Sequence, residues 1–214
     1  MNRPAWPMRA WTGDGYLYRK AAQGMDKQSI RASYRERRKR LAPGDAESMQ
    51  RGILEVFRSL RLPSLRVLHR YMPNPKGGEP DPGPLAEWLV MTNPGIVQAL
   101  PRVSEDDPLM QAIELGASTR LKPNSWGIPE PVEGSEIPPE NIDMVLVPLL
   151  AFDLKGHRVG HGKGYYDRFL KRCRRDCLKV GLSFFEPVAS IDDADAHDER
   201  LDLCITPSKA YEFD

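Results

Sequence analysis

Cysteine is scarce in this 214-residue chain: there are three, an odd number with no paired spacing. That argues against a disulfide framework and for a reducing compartment, the cytoplasm. Surplus charge is lacking as well. Thirty-one Lys and Arg face 30 Asp and Glu, a formal net charge of +1, so the chain as a whole is neither a strongly basic nucleic-acid binder nor an acidic tail. No apolar stretch approaches the ~18 residues of a membrane helix. Histidines number four. His157 and His161 are four apart, but glycines at 156, 160 and 162 deny them a dependable helix, which argues against a zinc pair. Proline, by contrast, is plentiful at 20 residues. The prolines fall mostly between elements and predict long ordered loops. The length allows one domain with a core of useful size.

One stretch organises the rest: DMVLVPLLAFDLKGHRVGHGKGYYDRFLKRC, residues 143–173. Residues 145–152 form a nearly unbroken apolar run, which predicts a strand buried on both faces of a parallel sheet. Gly160, Gly162 and Gly164 then alternate with His161 and Lys163, and residues 165–172 have helical character. Strand, glycine loop and helix in that order aim backbone N–H groups and a positive helix end at an anion. Lys163 adds a point charge. Asp167, in the first helical turn, is placed to hold a magnesium ion bridging to phosphate. The loop is not a Walker A sequence, because Gly164 follows Lys163 where Ser or Thr is required. A tight turn with glycines for packing alone is the plain alternative, but it has no need of the Lys, two Tyr and Asp set among and behind them.

Residues 1–24 show no clear period and read as a leader without chemistry, ahead of a domain over 25–214. Asp26 can cap a helix running to about residue 41, with Ile30, Tyr34 and Leu41 as its apolar stripe. Lys27 and Arg31 project from one face. The cluster Arg35, Arg37, Arg38, Lys39 and Arg40 reads as a solvated basic face. An RNA-binding helix is the rival, weakened by the neutral chain and the lack of interleaved aromatics. Further helices are expected over 45–60 and 84–93, the latter with Leu85, Trp88, Leu89 and Met91 inward. Strands are expected over 65–72, 96–100, 109–115, 178–184 and, last, 201–206. Residues 122–141 have the composition of a linker, interrupted by Trp126, which is either a local core plug or a ligand platform. Cys173 and Cys177 would lie one turn apart on a helix, a structural pair.

The loop with RVGHGKGYYDRFL around it resembles the signature of 5-formyltetrahydrofolate cyclo-ligases, also called methenyltetrahydrofolate synthetases. KQSIR at 27–31, SWGIPEP at 125–131 and HDERLDLCIT at 197–206 fit the same family in the right order. The resemblance implies a single α/β domain with a mainly parallel central sheet flanked by helices, related to the sugar-phosphate isomerase and CoA-transferase group. It implies ATP-dependent conversion of 5-formyltetrahydrofolate to 5,10-methenyltetrahydrofolate with magnesium, by a monomer whose partners are small molecules and neither nucleic acid nor membrane. Carried over position by position, it gives Lys27, Arg31, Arg158, Gly160, His161, Gly162, Lys163, Gly164 and Tyr165 to ATP. Glu79, Trp126 and Tyr166 go to the folate, Asp167 and Asp202 to the metal, and Lys163, Tyr165 and Tyr166 to the reacting centre. Two of these have independent chemical sense. A carboxylate suits the paired N–H donors of an aminopyrimidinone edge, and an indole suits a flat ring. The loop at Glu79 departs from the family pattern with Pro80 and extra prolines and glycines, and His161 stands where some members carry Arg. A paralogue that kept the nucleotide loop but takes another heterocycle is the second reading.

Overall fold

A computed structural model describes residues 24–104, 107 and 109–214; apart from Gly24, the expected leader lies outside them. The Asp26 carboxylate accepts the Ser29 N–H at 2.7 Å and opens α1, Lys27–Lys39, as its capping chemistry predicts. Then come α2, Pro43–Ser59, started by proline in its first turn, β1, Val67–His69, and α3, Gly83–Thr92. They are followed by β2, Val97–Arg102, β3, Gln111–Glu114, and a hairpin of β4, Leu121–Pro123, and β5, Pro129–Pro131. The glycine stretch is framed by β6, Met144–Val147, β7, Ala151–Phe152, β8, Arg158–Val159, and α4, Tyr165–Arg172. The chain closes with β9, Leu178–Leu182, β10, Leu203–Ile205, and β11, Ala210–Glu212.

The central sheet has seven strands in the order β11-β10-β9-β6-β1-β2-β3. The five inner strands are parallel, and the edge strands β3 and β11 are antiparallel to their neighbours. Alternation along β6 shows why the sheet is covered on both faces. Met144 and Leu146 enter one core with Ile30, Ile53, Phe57 and Leu85 of the first three helices. Val145 and Val147 enter a second core with Phe169 and Leu170 of α4. This is the mixed α/β domain that the sequence predicts.

Several expectations need correction. The 145–152 run is two elements, because β6 ends at Val147 and Ala151–Phe152 pairs with β8 in a separate ribbon. Pro148 intervenes and has no N–H for a ladder. Met91 is 81% exposed and does not face the core. Residues 122–141, linker-like in composition, carry the β4–β5 hairpin and a 3-10 turn, Pro139–Asn141. The strand near residues 201–206 is followed by β11 and so is not the last. Cys173 ends α4 and Cys177 follows it in a turn, so the two do not share a helix; the three cysteines are free. Arg38 is buried, not solvated.

Candidate active site

At the carboxyl ends of β1, β2 and β6 the structure opens into a cavity of about 560 Å³, bordered by Met72, Pro101, Val103 and Pro148 just inside or beyond those strands. Ligands bind open parallel sheets at this edge. One wall is cationic. Lys27, Arg31 and Arg35, at successive helical turns of α1, border the cavity together with the glycine loop. Gly162 has φ +99° and Gly164 φ +70°, left-handed conformations that side chains resist. Gly164 is also the N-cap residue of α4, so the loop delivers the helix start to the cavity. A Cβ at Gly164 would lie 2.7 Å from the Arg168 guanidinium, which donates from Nη2 to the Lys163 carbonyl at 3.0 Å. Arg31 Nε donates to the Gly160 carbonyl at 3.0 Å and ties α1 to the loop. Lys163 is exposed and makes no ion pair among the described residues.

The acids on this wall are already engaged. Lys27 Nζ lies 2.6 Å from Asp198 Oδ2 and 3.6 Å from Asp195 Oδ2. Partial burial works against the ammonium, but these carboxylates outweigh it and hold the Lys27 pKa above its ordinary value. Asp167 Oδ1 accepts from Arg158 Nη2 at 2.8 Å and from the Glu199 N–H at 3.2 Å. Both Asp167 and Asp198 border the cavity.

The facing wall is drier. It is built from Tyr71, Met72, Val103, Met110, Ile128 and Tyr166, with the carboxylates Glu79 and Glu130 set among them. The Glu79 side chain is 5% exposed, with Oε1 2.6 Å from His161 Nε2 and 3.6 Å from Arg38 Nη1. The Asn74 N–H donates to Oε2 at 3.0 Å. Burial pushes the Glu79 carboxyl up, but the His161 and Asn74 hydrogen bonds and the nearby Arg38 together hold it below its usual value, so it stays ionised. Arg38 is anchored behind it by donation to the Leu149 carbonyl. Glu130 accepts from Asn124 Nδ2 at 2.8 Å, and burial raises its pKa. The Tyr166 hydroxyl is buried without a hydrogen-bond partner among the described residues, and burial holds it far above the ordinary tyrosine value. Behind it His69, wholly buried, packs on Phe169 with ring centroids 4.9 Å apart.

Lys27, Glu79, Trp126, Arg31, Arg158, Tyr165, Tyr166, Asp167 and the whole 160–164 loop all border this cavity. Trp126 is 39% exposed at the rim, edge-on to Tyr165 at 6.3 Å, so it is not a core plug. Asp202 is not brought here. It precedes β10, at the amino end of the parallel strands, and its carboxylate accepts the Lys179 N–H at 2.8 Å. The acid from that segment on the cavity is Asp198. Sequence reading also missed Arg35, Arg38 and Glu130. Arg35 extends the Lys27–Arg31 spacing by one turn, and Arg38 follows Ile30 and Tyr34 on the buried stripe, so both were signalled by period. Of the basic cluster only Arg38 is buried; Arg35, Arg37, Lys39 and Arg40 are exposed.

Arranged this way, one wall suits a polyanion and the other a flat heterocycle with N–H donors. The sequence model of the 5-formyltetrahydrofolate cyclo-ligase family matches residues 23–207. A 5-formyltetrahydrofolate cyclo-ligase of Mycoplasma genitalium is 44% identical over 71 residues, 33% of this chain and 42% of that protein. The Mus musculus enzyme of the same name is 33% identical over 119 residues, 50% of this chain and 59% of its own length. The matched stretches thus span about half the length of these relatives. Among solved structures, the Aquifex aeolicus 5,10-methenyltetrahydrofolate synthetase superposes with a TM-score of 0.72 at 30% identity, covering 88% of this chain and 93% of that one. The Mycoplasma pneumoniae synthetase gives 0.65 at 25% identity, covering 86% and 99%.

Proposed function

The chain belongs to the 5-formyltetrahydrofolate cyclo-ligase family, and from that premise we propose that it closes 5-formyltetrahydrofolate to 5,10-methenyltetrahydrofolate, converting ATP to ADP and phosphate. The observation that carries this reading is the pairing of two unlike walls in one cavity. The glycine loop at the start of α4, with Lys27, Arg31 and Lys163, faces a buried, ionised Glu79.

The formyl group is an amide carbonyl, a weak electrophile with a poor leaving oxygen. Transfer of the γ-phosphoryl group to that oxygen breaks its bond to ADP and makes the formyl oxygen a phosphate ester. N10 then attacks the formyl carbon, the ring closes, and phosphate departs with the original formyl oxygen. Such a transfer, through a loose transition state, depends on alignment and charge balance more than on a base. Backbone N–H groups of the loop and the side chains of Lys163, Arg31 and Lys27 hold the phosphates. Glu79 accepts the N–H donors of the pterin edge, Trp126 flanks the ring, and Tyr165 and Tyr166 line the junction.

Magnesium needs only one or two carboxylates beside phosphate oxygens; Asp167 and Asp198, on the cavity and paired here with Arg158 and Lys27, would hold it by exchanging those cations for the metal, which would neutralise phosphate charge. We place the reaction within residues 25–214, in a cytoplasmic monomer. No helix among the described residues is long and apolar enough to cross a membrane.

The test is turnover of 5-formyltetrahydrofolate with and without ATP, read by the absorbance of the methenyl product. Product only when ATP is present is expected, and no product in either case would sink the reading. Substrate carrying heavy oxygen in its formyl group should deliver that oxygen to phosphate. Heavy oxygen in water instead would remove the phosphorylated intermediate.

A further inference from the structure

His161 belongs to the glycine loop, yet its imidazole crosses to the other wall. Nε2 lies 2.6 Å from Glu79 Oε1, and the side chains are 40% and 5% exposed respectively. The remaining partners of this carboxylate come from the protein itself: Asn74 N–H on Oε2 at 3.0 Å and Arg38 Nη1 3.6 Å from Oε1. Recognition of an aminopyrimidinone edge by two parallel hydrogen bonds requires both carboxylate oxygens to face the ligand. Oε1 is held by His161. The imidazole, for its part, sits between Gly160 and Gly162 in a loop whose geometry suits phosphate oxygens. Each ligand therefore claims one partner of the same contact.

We propose that the His161–Glu79 contact is a latch that couples the two halves of the cavity: nucleotide phosphates draw the imidazole away and so free Glu79 for the folate. This rests on the reading of the cavity as an ATP and folate site. The consequence is thermodynamic. Whichever ligand binds first opens the latch, so the second binds more tightly, and the coupling is equal in either order. His161 is then a positioning residue that acts on the folate through Glu79.

Calorimetric titration of the full chain tests this, using 5-formyltetrahydrofolate with and without a non-hydrolysable ATP analogue and magnesium. In the wild type the analogue should tighten folate binding about tenfold, within the usual range of coupling between sites. In His161→Ala the coupling should fall below about twofold, with folate affinity in the absence of nucleotide already equal to that of the nucleotide-loaded wild type. If His161→Ala weakens folate equally with and without the analogue, His161 merely supports Glu79 and the latch is overturned. A second measurement needs no folate. Glu79→Gln removes the anionic partner of His161, so the analogue alone should bind roughly fivefold more tightly than to the wild type; unchanged or weaker binding overturns the proposal. Should the wild type fail to bind 5-formyltetrahydrofolate under either condition, the substrate reading falls, and the nucleotide measurement alone decides the latch.

Discussion

The two walls of the cavity are assembled in opposite ways. The cationic wall comes largely from two short runs of sequence, residues 27–35 of α1 and residues 158–167 around the glycine loop. The drier wall is composite. Tyr71, Glu79, Val103, Met110, Trp126 and Glu130 meet because β1, β2 and the β4–β5 hairpin converge at one edge of the sheet. A contiguous wall is specified by local spacing and tolerates little change in it. A composite wall is specified by the fold, which brings together segments far apart in sequence.

The sharpest test of this contrast is Lys163→Ala. If the contiguous wall carries the phosphoryl transfer, loss of its exposed cation should slow turnover by roughly 10²-fold or more, the size seen when one preorganised charge-stabilising group is removed. The KM for folate should stay within about twofold, because binding on the other wall is untouched. A folate KM that rises as steeply as kcat falls would mean that the walls do not divide the work.

This division also explains what was legible in the sequence. The glycine loop, Lys27, Arg31, Asp167 and the start of α4 were readable because their geometry is set within a few residues. Arg35 and Arg38 were equally readable by period, at the spacings of Lys27–Arg31 and Ile30–Tyr34, but a run of basic residues conceals which of them faces inward. Asp198 and Asp202 show the opposite case. Both lie in one acidic segment, and only the sheet decides that Asp202 is turned to the Lys179 N–H while Asp198 reaches Lys27. Glu130 in a proline-rich stretch had no local signal, since its burial comes from contacts with Asn124 and Val103. The break at Pro148 was legible in kind, but the apolar residues on either side hid it.

The dryness of the composite wall can be probed from beneath. His69 is completely buried behind Tyr166, and burial, aided by Arg70, lowers its pKa from 6.5 to about 3. The unfolded chain takes up this proton below pH 6.5 while the folded chain does not, so stability is full above that pH and falls as the medium is acidified toward pH 3. The slope from this group is about 1.4 kcal/mol per pH unit, or roughly 2 kcal/mol lost by pH 5. His69→Leu should remove that part of the acid sensitivity, seen as a smaller drop in the urea midpoint between pH 7 and pH 5. An identical drop in both proteins would show that the imidazole is protonated in place and that water reaches it.

On the cationic wall a finer comparison separates the acids. Asp198→Asn should raise the magnesium requirement of turnover roughly tenfold, the lower end of what disturbing a metal site costs in affinity. Asp202→Asn should leave it unchanged within error, because that carboxylate serves the β9–β10 backbone. Equal shifts in both variants would mean that the segment acts through its fold and not through Asp198.

The smallest effect should come from Trp126, and it tests where the composite wall ends. The indole is presented by a turn that needs no ligand: Asn124 Oδ1 accepts the Trp126 N–H at 2.9 Å and the Ile128 N–H at 3.1 Å. Gly127 between them takes φ +78°. Tyr165 meets the ring edge-on at 6.3 Å and 63°, which supports it from the contiguous wall. A preset aromatic at the rim, 39% exposed, adds about 1 kcal/mol or less to a stacked heterocycle. Trp126→Ala should therefore raise the folate KM only about three- to fivefold, with kcat, nucleotide affinity and melting temperature nearly unchanged. Trp126→Phe should recover most of the loss, since a flat face is what the position supplies. If Trp126→Ala lowers kcat instead, the indole is positioning the loop through Tyr165, and the boundary between the walls runs on its other side.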